Sequence, residues 1–383
     1  MHEPLQPAPA GADADRVSAL RRLALLLALV TGLMLAPVGS AARSHALPPP
    51  LPPSTGRTLF VSPSGSDAAP GTAARPWRTL QHAFDRVAAG QTVLLRGGVY
   101  PDWAELSHSG RPRAAITIRS APGERATLTG RLKLTGSYLA VSHLRFVGGT
   151  PANDRDVLVY VAGASHVEIS HDELSRGAMS AVYVGDPGDP SSDVQILANR
   201  IHDNGSHWNL DHGIYFGTGT GGLIANNVIT GNEADGIQLY PQANGVIVTS
   251  NTIADNGRSG IILGGEDTTS NHDVVANNIL AFNAEYGIRT YWGGPVGSGN
   301  LAEHNLSYGN AAGNPPASLT AGIRIAATIA RNPLFDAARR LDFHLRPRSP
   351  AIGRALATYA VPTDLDGFAR PVAASVGALE YRR

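Results

Sequence analysis

Four short segments carry one alternation of apolar and polar positions: "GIYFG" from Gly213, "GIQLY" from Gly236, "GIILG" from Gly260 and "GIRTY" from Gly287. With each glycine at position zero, Ile214, Ile237, Ile261 and Ile288 fall at plus one. Phe216, Leu239, Leu263 and Thr290 fall at plus three. A period of two is that of a β-strand, so these positions are expected to face inward and plus two outward. Read through successive segments, the outward column is Tyr160, Tyr183, Tyr215, Gln238, Ile262 and Arg289, and plus four adds Tyr240 and Tyr291.

The strands belong to a longer repeat. Asparagines at 199, 227, 251, 278 and 305 are each followed five residues later by another, at 204, 232, 256, 283 and 310, and Asp172 and Gly177 take the same two places one unit earlier. Intervals of 27, 28, 24, 27 and 27 residues mean stacked equivalent units. Leucine-rich repeats share this period, but their regular leucines are missing and no helix-sized segment fits between the strands. The expected fold is therefore all-β, a coil of short strands stacking into parallel sheets. Each asparagine is expected at a tight bend, tolerating unusual backbone angles and bonding the copy ~4.8 Å above it.

The ends break the period. Arg16, Arg21 and Arg22 precede the apolar run from Leu23 to Leu35 and small residues follow, which reads as an export signal over residues 1–46, shorter than the ~20 apolar residues of a spanning helix. Residues 47–57 read as a stiff proline-rich linker. In residues 58–100, "PWRTLQHAFDRVAAG" sets Trp77, Leu80, Phe84 and Val87 on one face of a helix expected to plug the first coil. The coil proper is assigned to residues 101–325 and an irregular cap to 326–383. Balanced charge, 31 basic against 31 acidic residues, gives no reason to expect a nucleic-acid surface. With no cysteine, stability cannot rest on disulfides.

The opening "LFVSPSGSDAAPGTAARPWRTLQHAFDRVAAGQTVLLRGGVY", the closing "DFHLRPRSPAIG" and "DLDGFARP", and the asparagine ladder between them resemble secreted right-handed parallel β-helix proteins of the pectin-lyase-like superfamily. The resemblance covers residues 58 to 381 and implies a right-handed parallel β-helix (solenoid) acting on a polysaccharide outside the cytoplasm; the chain is expected to be a monomer. It does not identify an activity, since the superfamily spans lyases, hydrolases, epimerases and members without a known reaction.

Candidate chemistry gathers where one coil departs from the pattern. Nine residues rather than four separate Asn204 from Gly213, so "GSHWN" or its equivalent is an insertion, and insertions map to loops on one face. It is expected to carry His207, Trp208, Asp211 and His212 to the margin of the tyrosine column, with His212 ~5 Å from Asp235 in the next coil. The tyrosines and Trp208 suit sugar rings, and Arg258, Arg289 or Gln238 suit a uronate carboxylate. For β-elimination, His212 or His207 is the candidate base and Tyr215 the acid or a second base, with Asp211 a candidate to orient His212. A hydrolase would instead pair Asp211 with Asp235, and a non-catalytic glycan-binding stack would use the aromatic residues alone. The Asp-Asp and Gly-His-Gly patterns of polygalacturonases and the Trp-Ile-Asp-His motif of pectate lyases are absent. No cofactor is expected: "DLDG" lacks the remaining calcium-loop ligands, and no cluster of aspartates on the strands marks a calcium site.

Overall fold

The structure, a computed structural model, describes residues 47–148, 157–291 and 294–382; the expected export signal lies outside them. The chain winds as a right-handed parallel β-solenoid of about eight turns, its strands falling into three stacks. The first runs from Thr58–Val61 and Thr92–Leu95 to Ile323–Ala326. The second holds nine strands, from Gly98–Tyr100 to Leu306–Tyr308. The third runs from Ala104–Leu106 through Ile214–Thr220, Ile237–Asn244 and Ile261–Leu263 to Ile288–Thr290. Pairing within each stack is parallel, so equivalent residues of successive coils become neighbours: Tyr160 pairs with Tyr183, Tyr183 with Tyr215, Tyr215 with Gln238.

The alternation fixes the core. Ile214, Phe216, Ile237, Leu239, Ile261 and Leu263 are all fully buried, and each such side chain contributes about 1.5–3 kcal/mol. Burying a ladder of polar asparagines among them requires that their hydrogen bonds be met, and they are. Asn251 Oδ1 accepts from both the backbone and the side-chain N–H of Asn227 at 2.9 Å, while its Nδ2 donates to Asn278 Oδ1, Ile224 O and Thr249 O. A second ladder links Asn204, Asn232, Asn256, Asn283 and Asn310 the same way.

The bend is not at the ladder asparagine itself. The left-handed backbone lies one residue earlier, at His171, Ala198, Asn226, Ser250, Asn277 and His304, with φ between 53° and 58°. Such a conformation costs roughly 1–2 kcal/mol in a residue with a Cβ, and the ladder bonds of the next residue hold it. The glycines at position zero are needed for space. A Cβ on Gly236 would stand 2.4 Å from Ile253 Cγ2 and 2.8 Å from Gly260 O.

Three expectations about the ends need correction. Thr58–Val61 pairs in parallel with Thr92–Leu95, so the coil begins before residue 101. The helix is a single short turn, Leu80–Phe84, although Trp77, Leu80, Phe84 and Val87 are buried as expected. The segment from Leu47 is docked rather than free: Pro49 O accepts from Gln195 Nε2 at 2.9 Å, Leu51 N–H donates to Glu168 at 3.2 Å, and Ser54 Oγ donates to Ala115 O. The C-terminal segment is a strap along the flank. Phe343, Leu345, Val376 and Leu379 pack on Val228, Ala254 and Ile279 of the second stack, and Asn277, a bend residue, clasps Leu356 through both its amide atoms.

Candidate functional site

The outward column of the third stack is open only in its first half. Tyr160, Tyr183 and Tyr215 are half-buried, whereas Gln238, Ile262 and Arg289 are 8%, 2% and 1% exposed. The Tyr183 and Tyr215 rings stack with centroids 4.6 Å apart, and Tyr160 meets Tyr183 edge to face. Asp186, in the turn after the Val182–Val184 strand, accepts from both Tyr160 and Tyr183. Tyr240 packs on Tyr291 and donates to Glu266 at 2.7 Å. Burial, with Asp186, Glu266 and Tyr291 nearby, pushes the Tyr215 phenol up, so it stays protonated.

His212 and Asp235 meet, with Nδ1 3.5 Å from Oδ2 and both side chains 1% exposed. This is not an ion pair. His212 Nδ1 accepts from the Asp235 backbone N–H at 3.2 Å, which leaves the ring proton on Nε2. Burial, reinforced by the Arg258 and Arg289 charges and opposed by a hydrogen bond to Gln238, pushes the ring pKa down to about 3. The contact belongs to a third ladder along the position before glycine. Ser180 Oγ accepts from His212 N–H at 2.9 Å, and Asp235 Oδ1 from Ser259 N–H at 2.8 Å. His212 is thus buried and neutral with its Nδ1 lone pair already occupied, which does not fit the base expected of it.

Arg289 is corrected too. Its Nε donates to Ser259 Oγ at 2.8 Å and its Nη2 lies 3.2 Å from Glu285 and 3.6 Å from Asp235, so it lies beneath the surface rather than facing a sugar. Glu285 also pairs with Arg258 Nε at 3.1 Å, tying the two guanidiniums together. Asp211 and Asp235 are both fully buried, which removes the carboxylate pair a hydrolase would present.

The insertion holds the most available chemistry. Asp211 Oδ2 accepts from the backbone N–H of Ser206 at 2.9 Å and of His207 at 2.7 Å, and lies 3.0 Å from His207 Nδ1. Asp211 thus orients His207 and not its neighbour His212. The His207 side chain is 62% exposed, so a buried carboxylate fixes one ring nitrogen while the other faces the exterior. The next residue, Trp208, lies 60% exposed with the Arg258 guanidinium 4.8 Å from its ring centre.

Residues 59–315, which contain all of these groups, match the family described as "Pel9A-like, right handed beta helix region". The chain belongs to that family.

Among curated relatives of this Pel9A-like chain, a pectate lyase of Emericella nidulans is 25% identical over 333 residues, covering 69% of this chain and 77% of the relative. An uncharacterized Bacillus subtilis protein is 28% identical over 236 residues, and the match spans only 47% of that protein. The crystal structure of pectate lyase Pel9A superposes with a TM-score of 0.63 at 16% identity, covering 86% of this chain and 98% of that one. An alginate lyase from Paenibacillus gives 0.51 at 20% identity, covering 72% and 95%. At these identities the superpositions establish the fold.

Among the described residues of this Pel9A-like coil, no group of three or more His, Asp or Glu is arranged to hold a metal ion. Sequence reading missed Asp186. The signal for it was chemical: two tyrosines on adjacent rungs need an acceptor, and "GDPGDP" supplies one just after the strand.

Proposed function

We propose that this chain is a secreted enzyme that cleaves a uronate-containing polysaccharide by β-elimination on the tyrosine face of the third stack. The observation that carries the reading is the exposed His207 ring tethered to buried Asp211, one residue from the Trp208 ring that meets Arg258. The Emericella nidulans pectate lyase, alike along two thirds of the chain, supports the substrate class, and the basic and apolar start of residues 1–46 supports export. The enzyme acts as a monomer and has no nucleic-acid partner. Among the described residues no helix is long and apolar enough to cross a membrane.

In this mechanism neutralisation of the uronate carboxylate makes the C5 proton acidic, and Arg258, 6% exposed and paired with Glu285, acts on it from beneath the Trp208 ring rather than by an open contact. His207 Nε2 takes that proton, the C5–H electrons form the C4=C5 double bond, and the C4–O bond breaks. The Tyr215 phenol, kept protonated by burial, donates its proton to the leaving oxygen. His212 and Asp235 shape the floor without touching substrate. The test is a panel of uronate polymers followed by the ultraviolet absorbance of the new double bond. Product is expected with at least one polymer, and H207A should lower turnover by about 10²–10⁴-fold with the fold intact.

A non-catalytic glycan-binding stack is the second reading, favoured by the way Tyr160 and Tyr183 are committed to Asp186. Binding without product from any polymer would select it.

A further inference from the structure

The position-zero column changes character at its N-terminal end. Register places Trp103, Arg131, Leu158 and Ala181 in the file that Gly213, Gly236, Gly260 and Gly287 continue. Where glycine is required, the second asparagine ladder packs against it: Nδ2 of Asn256 would stand 3.1 Å from a Cβ on Gly236. That ladder begins only at Gly177. The first coils lie outside it and carry the largest side chains at this position.

These side chains are arranged. The Arg131 guanidinium carbon lies 5.4 Å from the Trp103 ring centre and 5.3 Å from that of Tyr160, between two aromatic groups. Trp103 is 49% exposed. Lys133 stands directly beside Tyr160 in the outward column, with its ammonium 3.4 Å from Glu105. That pair is exposed and contributes little, so an incoming carboxylate can compete for Lys133 at small cost while Glu105 keeps its bond from Thr135. Lys133 is three rungs from Tyr215, ~14 Å along the coil, on the same face and continuous through Tyr160 and Tyr183.

Resting on the proposed uronate-polymer reading, we infer that Trp103, Arg131 and Lys133 form a distal subsite. It holds a second acidic sugar of the same chain, with Trp103 as platform for the ring and the two cations on its carboxylate. Cationic groups ~14 Å from Tyr215 on the same aromatic face make the protein select long, charged chains.

The test is calorimetric binding of size-defined oligogalacturonates and oligomannuronates, from dimers upward, to H207A in which Trp103 and Arg131 are otherwise intact, and to H207A carrying W103A or R131M. Affinity is expected to step up once the oligomer spans both ends. W103A and R131M should each remove about tenfold of that step and leave the shortest oligomers unaffected. An unchanged step, an equal loss for short and long oligomers, or an equal effect of R131M on neutral galactan oligomers would overturn the subsite, as would failure of every uronate oligomer to bind. Failure of the lyase reading is seen separately, as no absorbance product from the parent protein while the Arg131-dependent step remains.

Discussion

Replacing Asp172 by asparagine is expected to stabilise the chain, and increasingly so as pH rises. Asp172 stands one rung below Asn199 in the first ladder, a carboxyl where five other coils carry an amide. Its Oδ1 accepts from Leu144 N–H at 2.7 Å, but its buried Oδ2 has no partner. Burial pushes its pKa well above the usual carboxyl range, against the Leu144 bond and with the Glu168 charge adding to it. An amide would put a donor where Oδ2 sits. Asn199 Nδ2 shows where it would go, bonding Ile169 O at 2.9 Å and the Oδ1 of the next rung at 3.0 Å. For residue 172 the matching acceptors are Val141 O, which register sets beside Ile169, and Asn199 Oδ1.

Relieving one unpaired buried polar atom is worth about 1–3 kcal/mol. The pH dependence follows from linkage. The folded state holds the Asp172 proton more tightly than the unfolded state, so stability from this group is full at acid pH. It is lost, by up to about 1.4 kcal/mol per pH unit, as pH rises from the unfolded value of about 3.9 toward the raised folded one. D172N removes that loss. Urea titrations of both proteins at a series of pH values between about 4 and 8 should give a gap that widens with pH. Asp273, buried with the same upward shift, is present in both proteins and cancels. A variant less stable at every pH, or an advantage independent of pH, would refute the reasoning.

Removing a whole rung acts the other way. N251A deletes five side-chain hydrogen bonds from the dry interior and should cost about 3–5 kcal/mol in urea unfolding. G236A should cost about 1–3 kcal/mol by overpacking, because its new methyl meets Ile253 and the Gly260 carbonyl; a melting temperature equal to wild type would contradict the packing. D211N should lower turnover about 10–100-fold through loss of the His207 tether. Combined with H207A it should add nothing, whereas additive losses would show that the two residues act apart. Y215F should abolish product formation while retaining polymer binding, read by gel retardation.

The groove half of the site was legible because strand register is a counting problem. Once Gly213 and Gly236 are aligned, Tyr215 must face the same way as Gln238, and the pairing found is that one. Roles were harder to read. His212 and His207 look alike in the sequence, and the choice between them turned on which nitrogen a backbone N–H from another coil reaches. Asp211 lies next to His212 in the chain but bonds the ring four residues back, since the insertion curls over itself.

What the sequence by itself determined is the coil, its inward isoleucines, its asparagine files and the order of residues along the tyrosine face. These follow from local periodicity, and a periodic chain repeats every contact it makes once. Only the tertiary structure decided which polar groups reach water. Arg289, Asp235 and Asp211 carry full charges in the string of letters, yet three-dimensional neighbours separated by 24 to 30 residues bury and bond the first two, and a folded loop closes over the third. Burial is a sum over many distant side chains, and no local pattern contains it.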